Sequence, residues 1–393
     1  MSENIYIEDI AISCALGHCH HDILTNLTQG QSPGLQPWSQ TLFSGREAYV
    51  GRLTHPLDGM DVTVNPDNRN NRLAQFLCQE LEPSITRLHQ RYQAQRIGVI
   101  IGSSTSGIEA TEQHVAHEVA HGTLPKDFTH RHQDMGDVAR VIAKLTGAEG
   151  PVYTVSTACT SSSRALISAS KLITAGFCDA VICGGVDTLC HLTVNGFDSL
   201  EQVSDKPCRP FDAERKGINV AEGGALLIVT AEKSDIGLAG YGESSDAYHL
   251  SSPMPCGSGA RRAMAMALEN AGLEAHQVDY INAHGTSTEQ NDAMESRAIA
   301  DLFGLEVAVS STKALTGHCL GAAGAIEAAL SCLLLRHKEF PLPRQWPIER
   351  VIDKNIAPIN LVTETCSCAP QAVMSNSFAF GGNNAALVFV KNN

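Results

Sequence analysis

Residues 154–163 read TVSTACTSSS, a short apolar strand that runs into small and hydroxyl residues and then into a helix predicted to begin near Ser162. This pattern places Cys159 at a strand-to-helix turn. Unpaired N–H groups and the positive end of the helix dipole favour a thiolate at such a turn, so we expect a lowered pKa and a nucleophilic sulfur. The alternative is that Cys159 is one more small core residue, because free cysteines are commonly buried.

The same order of strand and helix recurs along the chain and predicts an α/β fold. Strands are predicted at 5–12, 97–101, 152–156, 180–183, 225–229, 278–283 and 385–390, and helices at 21–28, 72–89, 137–145, 162–174, 259–271, 292–303 and 324–336. A Gly-Gly pair follows or ends a strand in both parts of the chain, which hints at a duplication. We therefore expect two halves, residues 1–236 and residues 237–393.

The composition excludes several classes of protein. The chain has 393 residues, of which 43% are hydrophobic and 18% charged, so it can bury a large core and is neither disordered nor collagen-like. Its net charge of −14 disfavours nucleic acid and anionic membranes as partners. Thirteen cysteines without a CxxC pair, an acidic start and the lack of an apolar run of about 18 residues predict a cytoplasmic protein.

Two later loops add histidines to the candidate cysteine. Residues 280–288 (YINAHGTST) place His284 just after a strand, and residues 310–324 (SSTKALTGHCLGAAG) contain Lys313 and His318. Each histidine alone is more often structural than catalytic. Together with a cysteine at a helix start, two histidines in loops rich in Gly and Thr point to covalent catalysis.

A fourth segment could supply an oxyanion hole. Residues 375–384 (SNSFAFGGNN) form a turn flanked by glycines, where exposed backbone N–H groups could bind negative charge. The alternative is an ordinary start of the last strand.

Taken together, these segments resemble the four signature motifs of the β-ketoacyl-acyl carrier protein synthases, the elongating type I/II condensing enzymes of the thiolase superfamily. The motifs are TACTSSS, NAHGTSTEQND, STKALTGHCLGAAGA and NSFAFGGNN, in this order. The resemblance implies a thiolase-like layered αβαβα fold with two similar halves. It also implies a decarboxylative Claisen condensation of an acyl-cysteine thioester with malonyl-acyl carrier protein, in fatty acid or aryl-polyene/polyketide chain elongation.

Carried over residue by residue, the resemblance makes Cys159 the nucleophile that accepts the acyl group. His284 and His318 would polarise the malonyl thioester during decarboxylation. Lys313 would organise the site, with Glu295 as its partner. No metal and no redox cofactor is implied, because the substrates are carried on the phosphopantetheine of acyl carrier protein.

The resemblance also implies residues that bind the substrate. The backbone N–H groups of Cys159 and Phe380 would form the oxyanion hole, and Phe380 would gate the acyl channel. Thr286 and Thr288 would hydrogen-bond the phosphopantetheine arm.

The chain departs from the family pattern at three positions. Ala379 replaces the usual Gly, Asn383 the usual Thr, and Glu289 the usual Pro, which puts the acyl-chain specificity in doubt.

Arg164 and the short loops resemble those of the ketosynthases of aryl-polyene clusters. The second catalytic histidine argues against initiating synthases, and Cys159 argues against a chain-length-factor subunit.

The implied partners are acyl carrier protein and a second chain. The family pairs through the sheet that precedes the nucleophile, so we expect a homodimer or a heterodimer with a homologue that resembles a chain-length factor and lacks the nucleophile.

Acidic carrier proteins need a basic docking surface on the synthase. Arg69 and Arg72 stand three residues apart and would share a helix face; Arg261 and Arg262 are further candidates. The alternative is that these arginines are only solvated.

Two other functions stay open from the sequence. His117-Glu-Val-Ala-His121 fits the HExxH zinc-protease pattern, but the extended form of that motif is absent. The cluster His18, His20 and His21 could bind a metal or simply form a solvated helix start. A non-catalytic assembly subunit of a heteromeric ketosynthase is the other alternative.

Overall fold

The computed structural model describes residues 5–60, 62–351 and 353–392. The strands are β1 (Ile5–Ser13), β2 (Leu35–Pro37), β3 (Tyr49–Gly51), β4 (Ile97–Gly102), β5 (Val152–Val155), β6 (Ala180–Asp187), β7 (Gly223–Thr230), β8 (Ile236–Ser245), β9 (Tyr280–Asn282), β10 (Ala308–Ser310), β11 (Asn360–Leu361), β12 (Ala372–Ala379) and β13 (Asn383–Lys391). The α-helices are α1 (His20–Gln29), α2 (Arg69–Glu80), α3 (Glu82–Arg91), α4 (Ile108–His121), α5 (Asp137–Thr146), α6 (Ser161–Thr174), α7 (His191–Ser199), α8 (Ser258–Ala271), α9 (Glu289–Phe303), α10 (Lys313–Thr316) and α11 (Ala323–Arg336).

The main sheet consists of two copies of one strand pattern. Across the described ranges its order is β11-β10-β9-β12-β13-β8-β1-β7-β6-β4-β5. In the set β1-β7-β6-β4-β5, the successive pairings are antiparallel, antiparallel, parallel and parallel. The set β8-β13-β12-β9-β10 repeats this sequence of pairings. The two sets meet where β1 pairs with β8. This repetition confirms the predicted α/β fold with two similar halves.

Helices cover the two halves in layers. Helices α2 and α5 pack on the outer side of the first half, and α8 and α9 on the outer side of the second. Helices α6 and α11 pack against each other, and α11 contacts strands of both halves. Helix α11 is therefore buried along residues 323–335, which explains why nearly all of its residues are apolar.

The predicted strands all form, but one predicted helix differs, and the sequence analysis missed strands β2, β3, β8, β10, β11 and β12 and helices α4, α7 and α10. The helix predicted at 72–89 is two helices, α2 and α3, because Pro83 at the start of α3 cannot donate an N–H to the preceding turn. Strand β8 was not predicted: it contains Gly240 and Gly242, where a Cβ would lie 2.2 and 2.0 Å from carbonyl oxygens of α8. The division of the chain after residue 236 stays a prediction, since it falls at the first residue of β8 within a continuous sheet.

The first turn of α6 presses closely on the sheet. A Cβ on Gly102, at the end of β4, would lie 2.3 Å from the backbone nitrogen of Ser162. A Cβ on Gly185, in β6, would lie 2.7 Å from the Cβ of Ser162. The start of α6 can therefore sit at the ends of these strands only because both positions are glycine.

Buried Asp187, at the end of β6, ties the same region together. Its Oδ1 accepts hydrogen bonds from the hydroxyl of Ser103 (2.9 Å), the N–H of Ser104 (2.7 Å) and both the N–H and the hydroxyl of Thr105 (2.8 Å each). Its Oδ2 accepts the N–H of Ala322, just before α11, at 3.0 Å. One carboxylate thus links β4, β6 and α11.

No helix in the described part of the chain combines the length and apolar character needed to cross a membrane.

We expect Gly102→Ala to lower the free energy of unfolding by about 1–3 kcal/mol, because the added methyl must displace the backbone of α6. Gly196→Ala is the matched control: Gly196 lies inside α7 and no atom lies within 4 Å of the place that an added methyl would take, so this change should be neutral or stabilise by up to about 1 kcal/mol. Urea unfolding followed by circular dichroism measures both. Equal stability of the Gly102→Ala and wild-type proteins would contradict the close approach.

Candidate active site

Three reactive side chains from distant parts of the chain meet in one buried place. The Cys159 Sγ and ring nitrogens of His284 and His318 all lie within 4.8 Å of one another. The two imidazole rings are perpendicular, with centroids 5.3 Å apart. The structure thus brings together the cysteine and the two histidines that the sequence singled out.

A tight turn presents Cys159. Strand β5 ends at Val155, Ala158 adopts a left-handed conformation with φ of 52°, and α6 begins at Ser161. The Ser161 hydroxyl accepts the N–H of Thr157 at 2.9 Å and donates to the carbonyl of Ala158 at 2.5 Å. The turn is therefore held by its own side chains, and Cys159 lies directly before the first turn of the helix.

Burial keeps the Cys159 thiol mainly protonated at neutral pH. Burial raises its pKa to about 11, against the opposing effects of the Lys313 charge and of the backbone N–H groups of Cys159 and Phe380. The lowered pKa expected from the helix dipole is therefore wrong, because the loss of water around the sulfur outweighs the local donors.

The hydrogen bonds of His318 define its tautomer. The N–H of Leu320 donates to His318 Nδ1 at 3.1 Å, so the proton of the neutral ring is on Nε2. The backbone of His318 is fixed as well, since it donates to Asn219 O at 2.7 Å and accepts from Ala221 N at 2.9 Å. Burial and the Lys313 charge hold the pKa of His318 well below its ordinary value.

His284 is oriented in a similar way. Lys313 Nζ lies 3.3 Å from His284 Nδ1, and an ammonium can only donate, so the proton of the neutral ring is again on Nε2. Burial, Lys313 and His318 hold the pKa of His284 well below its ordinary value. The site therefore contains two neutral imidazoles that each have an Nε2–H available as a donor.

The ion-pair partner of Lys313 is Glu327 of α11, not Glu295 as expected. Both members of this pair are almost fully buried, and burial raises the pKa of Glu327 to about 7 against the effect of Lys313. Glu295 instead accepts the backbone N–H groups of His284 (2.8 Å) and Gly285 (2.6 Å). Glu295 thus holds the His284 loop, and burial raises its pKa to about 7.

Sequence reasoning missed Glu327, although a signal was present. It is the only charged residue of α11 before the terminal Arg336. A lone acid in an otherwise apolar helix needs a buried partner.

The Phe380 turn closes the site from the second half. Strand β12 ends at Ala379, which pairs with Asn383 across the turn, so two of the three departures from the family pattern lie at its base. Gly381 has φ of 78° and donates its N–H to Leu250 O at 2.6 Å. The Phe380 ring lies 5.7 Å from that of Phe197, so these two aromatic rings form one wall of the pocket.

A cavity of about 240 Å³ opens onto the cysteine. Thr286 and Thr288 line it, and their hydroxyls are hydrogen-bonded to each other at 2.9 Å. The wall also contains Phe197, Leu200, Gln202, Ile218, Ser251, Ser252, Pro253, Gln290, Asn291, Phe378, Ala379, Phe380 and Asn384. An elongated substrate can therefore reach Cys159 past two threonine hydroxyls.

The arginines expected to dock a carrier protein are already paired. Helix α2 does begin at Arg69, but the Arg69 guanidinium forms two hydrogen bonds with buried Glu222, at 2.8 and 2.7 Å. Arg72 forms two with Asp67, at 2.7 and 2.6 Å. Neither guanidinium is a free surface charge. Arg69 is the less suitable docking residue of the two, because its partner Glu222 is buried and cannot turn to solvent.

Cys159, His284 and His318 are also the only group of three potential metal ligands in the described residues. Two observations disfavour a cation there. The ammonium of Lys313 lies beside His284, and His318 Nδ1 is already occupied by the N–H of Leu320.

The other histidine clusters do not form metal sites among the residues described. His117 and His121 lie one turn apart on α4 with ring centroids 4.4 Å apart, and no third ligand joins them. His20 Nε2 contacts the carbonyl of Ile10 at 3.1 Å, whereas His18 packs on His55.

Comparison with known proteins gives consistent matches. Residues 82–234 match the family model "Beta-ketoacyl synthase, N-terminal domain", and residues 236–345 match "Beta-ketoacyl synthase, C-terminal domain". The chain is 36% identical over 319 residues to "3-oxoacyl-[acyl-carrier-protein] synthase 2" of Staphylococcus aureus (strain COL), with 76% of each chain covered.

Solved structures are similar over the full length. A ketosynthase (ApeO) in complex with its chain length factor (ApeC) from Xenorhabdus doucetiae matches with a TM-score of 0.95 and 43% identity, over 99% of this chain and 98% of that chain. The ishigamide ketosynthase/chain length factor matches with a TM-score of 0.88 and 25% identity, over 100% of both chains.

The raised pKa of Cys159 predicts how its rate of alkylation depends on pH. We expect its rate of alkylation by iodoacetamide to rise about tenfold per pH unit from pH 7 to 10, because the thiolate is the reacting form. Exposed Cys256 is the internal control: hydrogen bonds from Ser258 lower its pKa, so its rate should level off at lower pH. Site-resolved mass spectrometry measures both residues in one sample. If the alkylation rate of Cys159 levelled off at a lower pH than that of Cys256, burial would not be the main influence on the pKa of Cys159.

Proposed function

The chain belongs to the β-ketoacyl synthase family, and from this premise we propose that it is a 3-oxoacyl-[acyl carrier protein] synthase that elongates acyl chains by decarboxylative Claisen condensation. The observation that carries the proposal is the meeting of the Cys159 sulfur with two imidazoles that share one tautomer. Family membership also accounts for the thiolase-like fold with its two similar halves.

The first step is acyl transfer. Cys159 Sγ attacks the thioester of an acyl carrier, the bond from the acyl carbon to the carrier sulfur breaks, and the thiol proton leaves with the departing phosphopantetheine thiol. The N–H groups of Cys159 and Phe380 lie close enough to the Cys159 sulfur to lower its pKa, so they are placed to stabilise the oxyanion that forms on the carbonyl oxygen of the attacked thioester.

The second step is decarboxylation and carbon–carbon bond formation. The Nε2–H groups of His284 and His318 donate to the thioester oxygen of malonyl-carrier, the bond to the carboxylate breaks, and CO₂ leaves. The resulting enolate carbon attacks the acyl group on Cys159. A new C–C bond forms and the Cys159 thiolate is released, which yields 3-oxoacyl-carrier.

Neutral imidazoles suit this step. Charge develops on the thioester oxygen only as CO₂ leaves, and a fixed N–H donor stabilises it without a proton transfer. The reaction as proposed uses no metal or redox cofactor. Thr286 and Thr288 line the route that the phosphopantetheine arm of acyl carrier protein would take.

The proposed second subunit is a chain of the same fold that docks on β5. This strand is at the end of the sheet and pairs with β4 in parallel; the carbonyls of Pro151, just before β5, and of Val155, at its end, accept the N–H groups of Val99 and Ser103. The N–H and C=O of Thr154 therefore face outward. We favour a heterodimer with a homologue that lacks the nucleophile, because two of the similar solved structures are ketosynthases with a chain length factor.

The pathway is a finer proposal. Arg164, which forms an ion pair with Glu243 at 3.4 Å, is the residue that favours an aryl-polyene cluster over housekeeping fatty acid synthesis. We place the reaction in the cytoplasm on the sequence pattern of thirteen scattered cysteines without a CxxC pair.

Replacing the histidines should separate the two steps. In His284→Ala and His318→Ala, we expect transfer of an acyl group to Cys159 to persist, while condensation falls by about 10²–10³ for each lost donor. Intact-mass spectrometry follows the first step, and chromatography of the 3-oxoacyl-carrier product follows the second. His117→Ala, exposed on α4, is the control and should leave both steps unchanged.

The outcomes distinguish the alternatives. Condensation at the wild-type rate in both histidine variants would overturn the mechanism. Absence of acyl transfer to wild-type Cys159, with a competent carrier and partner present, would favour an assembly subunit. Loss of function in His117→Ala together with bound zinc would favour the HExxH hypothesis.

Thr154→Pro should abolish association with the second chain, because it removes an outward N–H from the edge strand and leaves the bonds to β4 intact. Thr154→Val keeps the N–H and the size of the side chain, so it should still associate. Light scattering after size-exclusion chromatography of the co-purified complex gives the masses. A Thr154→Pro protein that remains in the complex would show that β5 is not the interface.

A further inference from the structure

Two cysteines lie side by side in the loop between β11 and β12. Cys366 Sγ and Cys368 Sγ are 3.0 Å apart, and one residue separates them in the sequence. Cys368 is exposed and Cys366 is half-buried. Nine of the other eleven cysteines are buried, and the remaining two, Cys19 and Cys256, lie far apart in the sequence at exposed positions.

The geometry requires little movement to join the two sulfurs. A disulfide bond is about 2.05 Å long, so the sulfurs must approach by about 1 Å. The ends of the loop are held in place. Cys366 O accepts the N–H of Leu342 at 2.9 Å, and Asp279 accepts the N–H groups of Gln371 (2.6 Å) and Ala372 (2.9 Å). A bond between the two sulfurs can thus form within the loop while its anchors stay in place.

We propose that Cys366 and Cys368 are a reversible thiol–disulfide site that is oxidised by low-molecular-weight disulfides. One cysteine sulfur attacks the small disulfide, which breaks its S–S bond and releases one thiol. The second cysteine sulfur then attacks the mixed disulfide and releases the second thiol. Two protein S–H bonds are replaced by one S–S bond, and the two electrons and two protons end on the two small thiols.

The surroundings favour a labile bond over a structural one. Cys368 is exposed, so a bond to its sulfur is open to small thiols from solvent. The ring closed by a Cys-X-Cys disulfide is small, and such short loops gain little from cross-linking. Exposed or strained disulfides are more easily reduced than buried ones, so the site should respond to the ratio of small disulfides to small thiols in the surrounding solution.

The inference does not depend on the condensation reaction. Neither cysteine lines the cavity at Cys159, and the loop precedes β12 whereas Phe380 follows that strand.

The test is redox titration of the full-length protein in mixtures of oxidised and reduced glutathione, followed by rapid alkylation and peptide mass spectrometry. We expect the peptide that contains Cys366 and Cys368 to lose two hydrogen atoms and to resist alkylation, and dithiothreitol to reverse this. Cys256, an exposed thiol without a neighbour, is the internal control and should carry glutathione.

Cys366→Ser removes the resolving thiol. In this variant the mixed disulfide on Cys368 should be at least about tenfold more abundant than in the wild type, where the adjacent sulfur displaces it. Alkylation of both wild-type cysteines at every glutathione ratio, or glutathione on both with no cross-link, would overturn the proposal.

Discussion

The buried ion pair between Lys313 and Glu327 is the interaction on which the rest of the site depends. An ammonium in the interior must be paired, and the loss of one partner leaves an uncompensated charge that costs about 3–5 kcal/mol. The paired lysine then acts on three neighbours at once. It fixes the tautomer of His284, opposes protonation of both histidines, and favours the thiolate of Cys159.

The duplicated fold explains how this pair is assembled. Lys313 follows β10 of the second half, and Glu327 lies on α11, the helix that packs between the halves against α6. Cys159 directly precedes α6, so the central layer brings the nucleophile close to the helix that carries Glu327. Buried Asp187 joins the first half to the residue before α11 and fixes this alignment.

The sequence predicted those parts of the site that depend on local pattern. Cys159, His284 and His318 each stand in a recognisable loop after a strand. The partner of Lys313 depends on the packing of α11, and its assignment to Glu295 was therefore wrong. The expected pKa of Cys159 was wrong for the same reason, because local sequence shows the helix start but not the burial around it. Among the elements, Pro83 divided a predicted helix, and the glycines that let β8 approach α8 hid that strand.

The central claim is that both histidines are neutral and carry their proton on Nε2 before substrate binds. Nitrogen-15 NMR of labelled histidine side chains tests it most directly, with His284→Asn and His318→Asn used to assign the two signals. The account predicts that both rings are neutral Nε2–H tautomers at neutral pH and stay neutral as the pH falls through the range where exposed histidines titrate. A protonated ring at neutral pH, or a proton on Nδ1 of either residue, would contradict it.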